Sequence, residues 1–267
     1  MSRKTIAFCA MRADKREDTI LVLLDLSAAF DTIDHEVLLN RLNQRFGFRD
    51  LTLKWLASYL ADRRQCVPIR SAVSVDSQLC FGDPQGPVLG PVLFSMYVAP
   101  VVDIVLSHGL RRMFYADDSQ IYLTKRLGNR NVSIGKIEDC ISHIIGWYPN
   151  NFLLCNPAKT KVIYFSSKFI DKDPIPSINI GANTIKLESA ICDLGVLLDD
   201  HLDMSKQLNN ICKSASFAIH NIWKIRNYLD QPTAEKLIYA FVTSKLTFAT
   251  VFFLGSQKSS LINCNEF

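Results

Sequence analysis

Phe114-Tyr115-Ala116-Asp117-Asp118, with Arg111-Arg112-Met113 before it and Ser119-Gln120-Ile121-Tyr122-Leu123 after it, decides how the rest of the chain is read. Two apolar, aromatic-rich runs flank adjacent carboxylates, the pattern of a short β-hairpin whose tight turn holds Asp117 and Asp118. Neighbouring side chains on a strand point to opposite faces, so a turn is what lets both acids serve one site. An Asp-Asp pair is also ordinary turn chemistry, and a third carboxylate upstream weighs against that reading. Asp25 ends the aliphatic run Ile20-Leu21-Val22-Leu23-Leu24. Such a run reads as a strand buried on both faces that carries its acid to the rim of a sheet. An acid at a strand end can equally cap whatever follows. If the two strands are neighbours in one sheet, the acids converge, and an all-oxygen cluster suits Mg²⁺ or Mn²⁺ rather than zinc.

The motifs around these acids carry a family resemblance. Leu24-Asp25-Leu26-Ser27-Ala28-Ala29-Phe30-Asp31-Thr32-Ile33-Asp34-His35 resembles motif A of the reverse transcriptases of non-LTR (LINE-type) retrotransposons, particularly the jockey and CR1-like branches. Asp83-Pro84-Gln85-Gly86-Pro87-Val88-Leu89-Gly90-Pro91 is similar to their motif B, and Phe114 to Asp118 to their motif C, in the same order. Asn156-Pro157-Ala158-Lys159-Thr160 resembles motif D, and Leu194-Gly195-Val196 stands where the family has its primer grip. The resemblance runs from about residue 20 to residue 255.

That resemblance implies an α+β fold: a polymerase palm, with a βαββαβ antiparallel sheet backed by helices, followed by a small helical thumb-like region. It implies RNA-directed DNA polymerase activity on an RNA template, a DNA primer and dNTPs. Asp25, Asp117 and Asp118 would hold two divalent ions, Mg²⁺ or Mn²⁺, for in-line nucleotidyl transfer to the primer 3′-hydroxyl. Lys159 stands at the position proposed to protonate the leaving pyrophosphate, although a lysine in a turn is also ordinary surface chemistry. Phe30 falls where an aromatic ring blocks a 2′-hydroxyl, and as a core aromatic it needs no such role. Gln85 would face the nascent base pair and template, with Gly86 and Tyr115 as further nucleotide or template contacts. Two positions depart from the family pattern. Asp83 replaces a small apolar residue and puts a negative charge beside the incoming nucleotide, and Pro87 replaces Ser and removes a backbone donor.

Composition agrees. At 267 residues, 48% hydrophobic and 21% charged, the chain buries a sizeable core and is not disordered. The net charge of +4 is compatible with nucleic acid without arguing for it. Eight scattered cysteines with no Cys-x-x-Cys pair exclude a zinc knuckle. Without a secretory signal they read as reduced thiols of a cytoplasmic or nuclear protein. The apolar stretch from Val88 to Leu106 is interrupted by Gly90, Pro91, Pro100 and Asp103, which predicts core helix rather than a membrane span.

Along the chain, residues 1–18 read as a loosely held lead-in, 19–199 as the palm with a partial fingers insertion, and 200–267 as the thumb-like helices. Asp34 is placed to cap a helix that Gly47 ends, and Asp50 starts another. Residues 65–82 read as two short strands, 134–147 as an amphipathic helix, 161–165 as a strand, 178–187 as a hairpin and 191–198 as one strand. From about residue 200, Leu208, Ile211, Cys212, Ala215, Ile219, Ile222 and Trp223 share a helix face, and Pro232 opens a last helix running to Phe248. Lys206, Lys213, Lys224 and Arg226 would touch phosphates or form a solvated face. Only 24 residues and no dense basic cluster precede Asp25, where the family has a fingers region that grips the triphosphate, and Lys15 and Arg16 are interleaved with Asp14, Glu17 and Asp18. The expectation is therefore a fragment with weak or no activity alone, or a non-catalytic nucleic-acid-binding remnant.

Overall fold

The computed structural model describes residues 8–9, 11–12, 17–70, 72–83, 88–126, 130–165, 177–181, 183–193, 195–202 and 204–247. Strand β1 (Glu17–Leu24) leads through a turn into helices α1 (His35–Phe46) and α2 (Asp50–Leu60). Four two-residue strands follow: β2 (Arg64–Gln65), β3 (Pro68–Ile69), β4 (Ala72–Val73) and β5 (Ser77–Gln78). Helices α3 (Leu89–Tyr97) and α4 (Ala99–Ser107) precede the hairpin β6 (Arg111–Tyr115) and β7 (Asp118–Arg126), then α5 (Arg130–Trp147). Strands β8 (Lys161–Phe165), β9 (Ser177–Ile180), β10 (Asn183–Glu188), β11 (Ala190–Asp193) and β12 (Val196–Asp199) lead to α6 (Ser205–Ile225) and α7 (Gln231–Ile238).

Six strands form the central sheet in the order β6-β7-β1-β8-β10-β9. β1 lies inside it, antiparallel to β7 on one side and to β8 on the other. This explains the unbroken aliphatic run, because each face of β1 is covered by a different core. Ile20, Val22 and Leu24 join the main core with Leu38, Leu42, Phe94, Tyr97, Ile137, Ile141 and Ile144 of the helices. Leu21 faces a second cluster with Tyr122, Ile163, Phe165, Ile191, Val196 and Leu198. Full burial of each such aliphatic stabilises the fold by about 1.5–3 kcal/mol. The order strand, helices, hairpin, helix, strand follows the expected one. One pair departs from it: β8 and β10 run parallel.

Local signals hold where a side chain can complete them. Asp34 accepts a hydrogen bond from the Val37 amide at 2.8 Å and caps α1, and Gly47 closes that helix. α2 starts at Asp50. The apolar stretch between Val88 and Leu106 becomes α3 and α4, bent by 42° at the break before Pro100 and buried through Leu93, Phe94, Tyr97, Val101 and Val105. Among the described residues no single helix is long and apolar enough to cross a membrane.

Several expectations are corrected. Residues 65–82 contain four short strands rather than two, β2 pairing with β5 and β3 with β4. All are exposed, so no buried face enforces a long register. Residues 191–198 form the hairpin β11-β12 rather than one strand, because Gly195 takes φ +80° and reverses the chain. The last helix does not run uniformly: α7 ends at Ile238 and a π-helical turn spans Tyr239–Thr243, while Phe248 lies outside the described residues. Within the stretch read as a loose lead-in, Cys9 is buried in the second core cluster and Phe8 packs on Tyr122 with ring centroids 5.4 Å apart. An apolar sheet face on that side needs cover, and these residues help to supply it. The helix face read from Leu208 to Trp223 is only partly used: Ile211 and Ala215 are buried, while Ile219 and Trp223 are exposed.

Candidate active site

Asp25 follows the last residue of β1, and the register of β1 on β7 pairs Leu24 with Ser119. The acid at the end of one strand therefore stands beside the hairpin that carries the other two. In that hairpin Tyr115 pairs with Asp118, leaving Ala116 and Asp117 as a two-residue turn. Only Asp117 is thus in the turn, whereas Asp118 is the first residue of the returning strand. Ala116 has φ +52°, a left-handed backbone unusual for a residue with a Cβ. Strain of this kind persists where surrounding structure over-determines it, and here the paired strands impose the tight reversal.

Electrostatics tie the acids together. The carboxyl of Asp118 is raised above the ordinary carboxylate range, first by partial burial, then by the charges of Asp117 and Asp25. Asp25 Oδ2 is buried without a hydrogen-bond partner. The nearest counter-charge is Lys159, whose ammonium stands 3.8 Å from that oxygen.

Lys159 is brought there by a loop stitched to the end of β1. The amide of Ser27 donates to Leu154 O at 2.8 Å, the amide of Asn156 donates to Asp25 O at 2.9 Å, and Leu26 forms a bridge with Cys155. The Thr160 hydroxyl receives the Asp25 amide at 3.5 Å and donates to Asn156 O at 2.9 Å. These bonds align residues 154–160 with residues 25–27, although the sequence keeps them far apart.

The remaining expected positions divide. Phe30 is half-buried, with its ring 5.0 Å from that of Phe94, so it is at least a core aromatic. Tyr115 is exposed at the end of β6. Gly195 and the buried Val196 stand at the turn of the β11-β12 hairpin, on the second face of the sheet. Gln85, Gly86 and Leu194 lie outside the described residues, as does Pro87.

A residue the sequence reading passed over is Asp193. It is buried at the end of β11, accepts a hydrogen bond from Gln120 Nε2 at 2.7 Å, and has Oδ2 without a hydrogen-bond partner. Burial, then the charge of Asp118, pushes its carboxyl up to about 6. Gln120 is two residues beyond Asp118 on β7, so this bond joins the β11-β12 hairpin to the acid-bearing strand. The signal available was an acid closing an otherwise apolar strand.

The donor set fits a hard cation. Three carboxylates, one with a buried, unbonded oxygen, present only oxygen ligands, the chemistry of Mg²⁺ or Mn²⁺. With the side chains as they stand, no group of three His, Cys, Asp or Glu among the described residues already closes on one point. Like charges hold such carboxylates apart, and a divalent cation is the counter-charge that would draw them in.

Residues 2–185 match the family model described as reverse transcriptase (RNA-dependent DNA polymerase). The chain belongs to the reverse transcriptase family. It is a family of nucleotidyltransferases that generally use divalent metals. The chain is 30% identical over 207 residues to the probable RNA-directed DNA polymerase from transposon X-element of Drosophila melanogaster, covering 74% of this chain and 21% of that protein. It is 25% identical over 214 residues to the RNA-directed DNA polymerase from mobile element jockey of the same organism, covering 78% and 22%. The chain thus spans about a fifth of the length of these relatives. In fold it resembles apo telomerase from Candida tropicalis truncated from its C-terminal domain, with TM-score 0.51 and 13% identity over 76% of this chain and 38% of that one. Telomerase from Candida albicans, solved with a fragment of telomeric RNA, matches with TM-score 0.50 and 12% identity over 96% and 43%. At these identities the likeness is one of fold, that of a reverse transcriptase palm, and the expected α+β class stands. The sequence resemblance to LINE-type reverse transcriptases stands with it.

Proposed function

We propose that this reverse transcriptase domain carries out RNA-directed DNA synthesis at the Asp25, Asp117 and Asp118 cluster, adding dNTPs to a primer 3′-hydroxyl along an RNA template. The observation that supports this reading is that the charges of Asp25, from one motif, and Asp117, from another, both act on Asp118 at one end of the sheet, with Lys159 3.8 Å from Asp25. Two divalent ions, Mg²⁺ or Mn²⁺, bound by these acids would activate the primer hydroxyl and neutralise charge at the α-phosphate. Asp118, already pressed by its two neighbours, gains most from such a counter-charge. Lys159, exposed and 3.8 Å from Asp25, would hand a proton to the leaving pyrophosphate. Phe30, seated on Phe94, would set its ring against the sugar and exclude a 2′-hydroxyl.

Residues 19–199 act as palm with part of the fingers, and 200–267 as thumb. The β11-β12 turn, with Leu194, Gly195 and Val196, would hold the primer, and Gln85, Gly86 and Tyr115 the nucleotide and template. Lys213, Lys224 and Arg226 are exposed and suit phosphates, whereas the Lys206 ammonium is held by Ser189 O and Oγ at 3.3 and 3.2 Å. The described cysteines are all free, which agrees with work in the cytoplasm or nucleus.

The test is primer extension on RNA with Mg²⁺ or Mn²⁺ by a protein containing this domain with the relatives' flanking regions. Asp117→Asn is expected to reduce the rate at least a hundredfold, on the order of one lost transition-state contact or more, while the fold survives. Near-normal extension by a folded Asp117→Asn variant would refute the assignment. In the same assay Phe30→Val raises the ratio of ribonucleotide to deoxyribonucleotide incorporation. An unchanged ratio removes Phe30 from the sugar site.

A further inference from the structure

Where α4 ends against α5, two histidines meet. His108 follows the last residue of α4, and His143 lies on the exposed side of α5. His143 Nδ1 is 3.0 Å from His108 Nε2, and the ring centroids are 4.9 Å apart with the planes at 63°. The helices that carry the rings are held by the main core, through Val101 and Val105 of α4 and Ile137, Ile141 and Ile144 of α5. Strand β6 separates this place from the acids: His108 precedes its first residue by three positions, and Asp117 follows its last by two.

The hydrogen positions follow from the partners. Ile104 O, which can only accept, lies 2.8 Å from His108 Nδ1, so that nitrogen carries a hydrogen. Ser107 Oγ is 3.3 Å from the same nitrogen, but its own hydrogen goes to Ile104 O at 2.8 Å. In the neutral ring, His108 Nε2 therefore holds a lone pair towards His143. His143 meets it with a hydrogen on Nδ1. In its other tautomer, with that hydrogen on Nε2, His143 sets a second lone pair beside the first, and a cation is what two such lone pairs attract.

We propose that His108 Nε2 and His143 Nδ1 together bind an imidazole-seeking divalent cation of the Zn²⁺ class, which joins the end of α4 to α5. The donor set selects the ion: imidazole suits Zn²⁺, Ni²⁺ and Cu²⁺, whereas Mg²⁺ and Mn²⁺ prefer oxygen. Zn–N bonds of about 2.0–2.1 Å at a tetrahedral angle set two nitrogens about 3.3 Å apart, so the rings need to part by only about 0.3 Å. His108 already makes the outer contact usual for a ligating imidazole. Its second ring N–H is bonded to a backbone carbonyl, which fixes the tautomer and the ring orientation. Binding releases no net proton from neutral rings, because the hydrogen of His143 Nδ1 moves to its Nε2. Among the described residues no third His, Cys, Asp or Glu closes on this point, so water completes the coordination. The result is a site of modest affinity that needs both rings at once. Its nitrogen ligands keep it independent of the polymerase chemistry proposed above.

The test is calorimetric titration of the full chain with Zn²⁺ in excess Mg²⁺, the competitor suited to oxygen ligands. Wild type is compared with His108→Gln, His143→Gln and the double variant. The thiols and carboxylates are common to all four proteins, so differences among them report the histidine pair. His143 is exposed, so its replacement leaves the packing of α5 untouched. Each single substitution is expected to weaken one Zn²⁺ site at least about tenfold, since even the outer partner of a ligating imidazole is worth about ten- to a hundredfold. The double variant should bind about as the singles do, because one ring left alone no longer chelates. Zn²⁺ should also raise the melting temperature of wild type more than that of His143→Gln, because the ion binds the folded pair. The proposal is overturned if either single variant binds Zn²⁺ like wild type, if the double variant shows the two single losses multiplied together, or if Zn²⁺ shifts the melting of wild type and His143→Gln alike. Each of those results would reduce the pair to an ordinary hydrogen bond between imidazoles. None of them bears on the Asp117→Asn test, so either idea can fail without the other.

Discussion

β1 and the helical region from α6 to the end of the described chain are both rich in apolar residues and place them differently. In β1, Leu21 and Val22 have no exposed surface, each packed into a different core. In the helical region Phe217 is 68% exposed, Trp223 70% and Tyr228 89%, and α7 has no buried residue. The sheet therefore derives its stability from its own layers. The helices are anchored by a few contacts, such as Ile211 and Ala215 of α6, and by the Gln207 side chain, which accepts from the Leu197 amide at 2.9 Å. Most of their aromatic surface takes no part in folding and is available for contact with something else.

The strongest challenge to this comparison is Leu21→Ala. Removing a fully buried leucine from the sheet's second face is expected to cost about 2–5 kcal/mol in urea unfolding. A loss below about 0.5 kcal/mol would mean that the second face is not a true core.

A smaller effect concerns the bond between the β11-β12 hairpin and the acid-bearing strand. Asp193 has a folded-state pKa raised from 3.8 to about 6. The folded state thus holds its proton more tightly than the unfolded chain. The corresponding stabilisation is fully present below about pH 3.8 and is lost as pH rises through about 6. Asp193→Asn keeps an acceptor for Gln120 and cannot titrate. The difference in unfolding midpoint between variant and wild type should therefore grow in the variant's favour as pH rises across that window. A pH-independent difference would show that Asp193 is not buried in the manner described.

The smallest effect is expected in the helices. Trp223→Ala should change unfolding free energy by no more than about 0.5 kcal/mol, while weakening affinity for single-stranded RNA in a filter-binding or anisotropy assay. A large loss of stability would show that this tryptophan is packed and would narrow the contrast between the two regions.

Much of the candidate site is legible in the residues themselves. A five-residue aliphatic run ending in Asp25, and a Tyr-Ala-Asp-Asp turn between apolar strands, specify strand type, burial and a carboxylate site, because periodicity and turn chemistry are local properties. Asp34 and the α1 cap are equally local. Tertiary structure alone decided that the Asn156–Thr160 loop is bonded to the Asp25 backbone and so carries Lys159 to its carboxylate. It also decided that Asp193 meets Gln120, and that Asp83 is sealed beside Arg63 with no hydrogen-bond partner. Each of these pairings joins residues distant in sequence, and whether a charge is buried depends on what packs over it. That is set by the closing of layers on the sheet, which no local window of sequence contains.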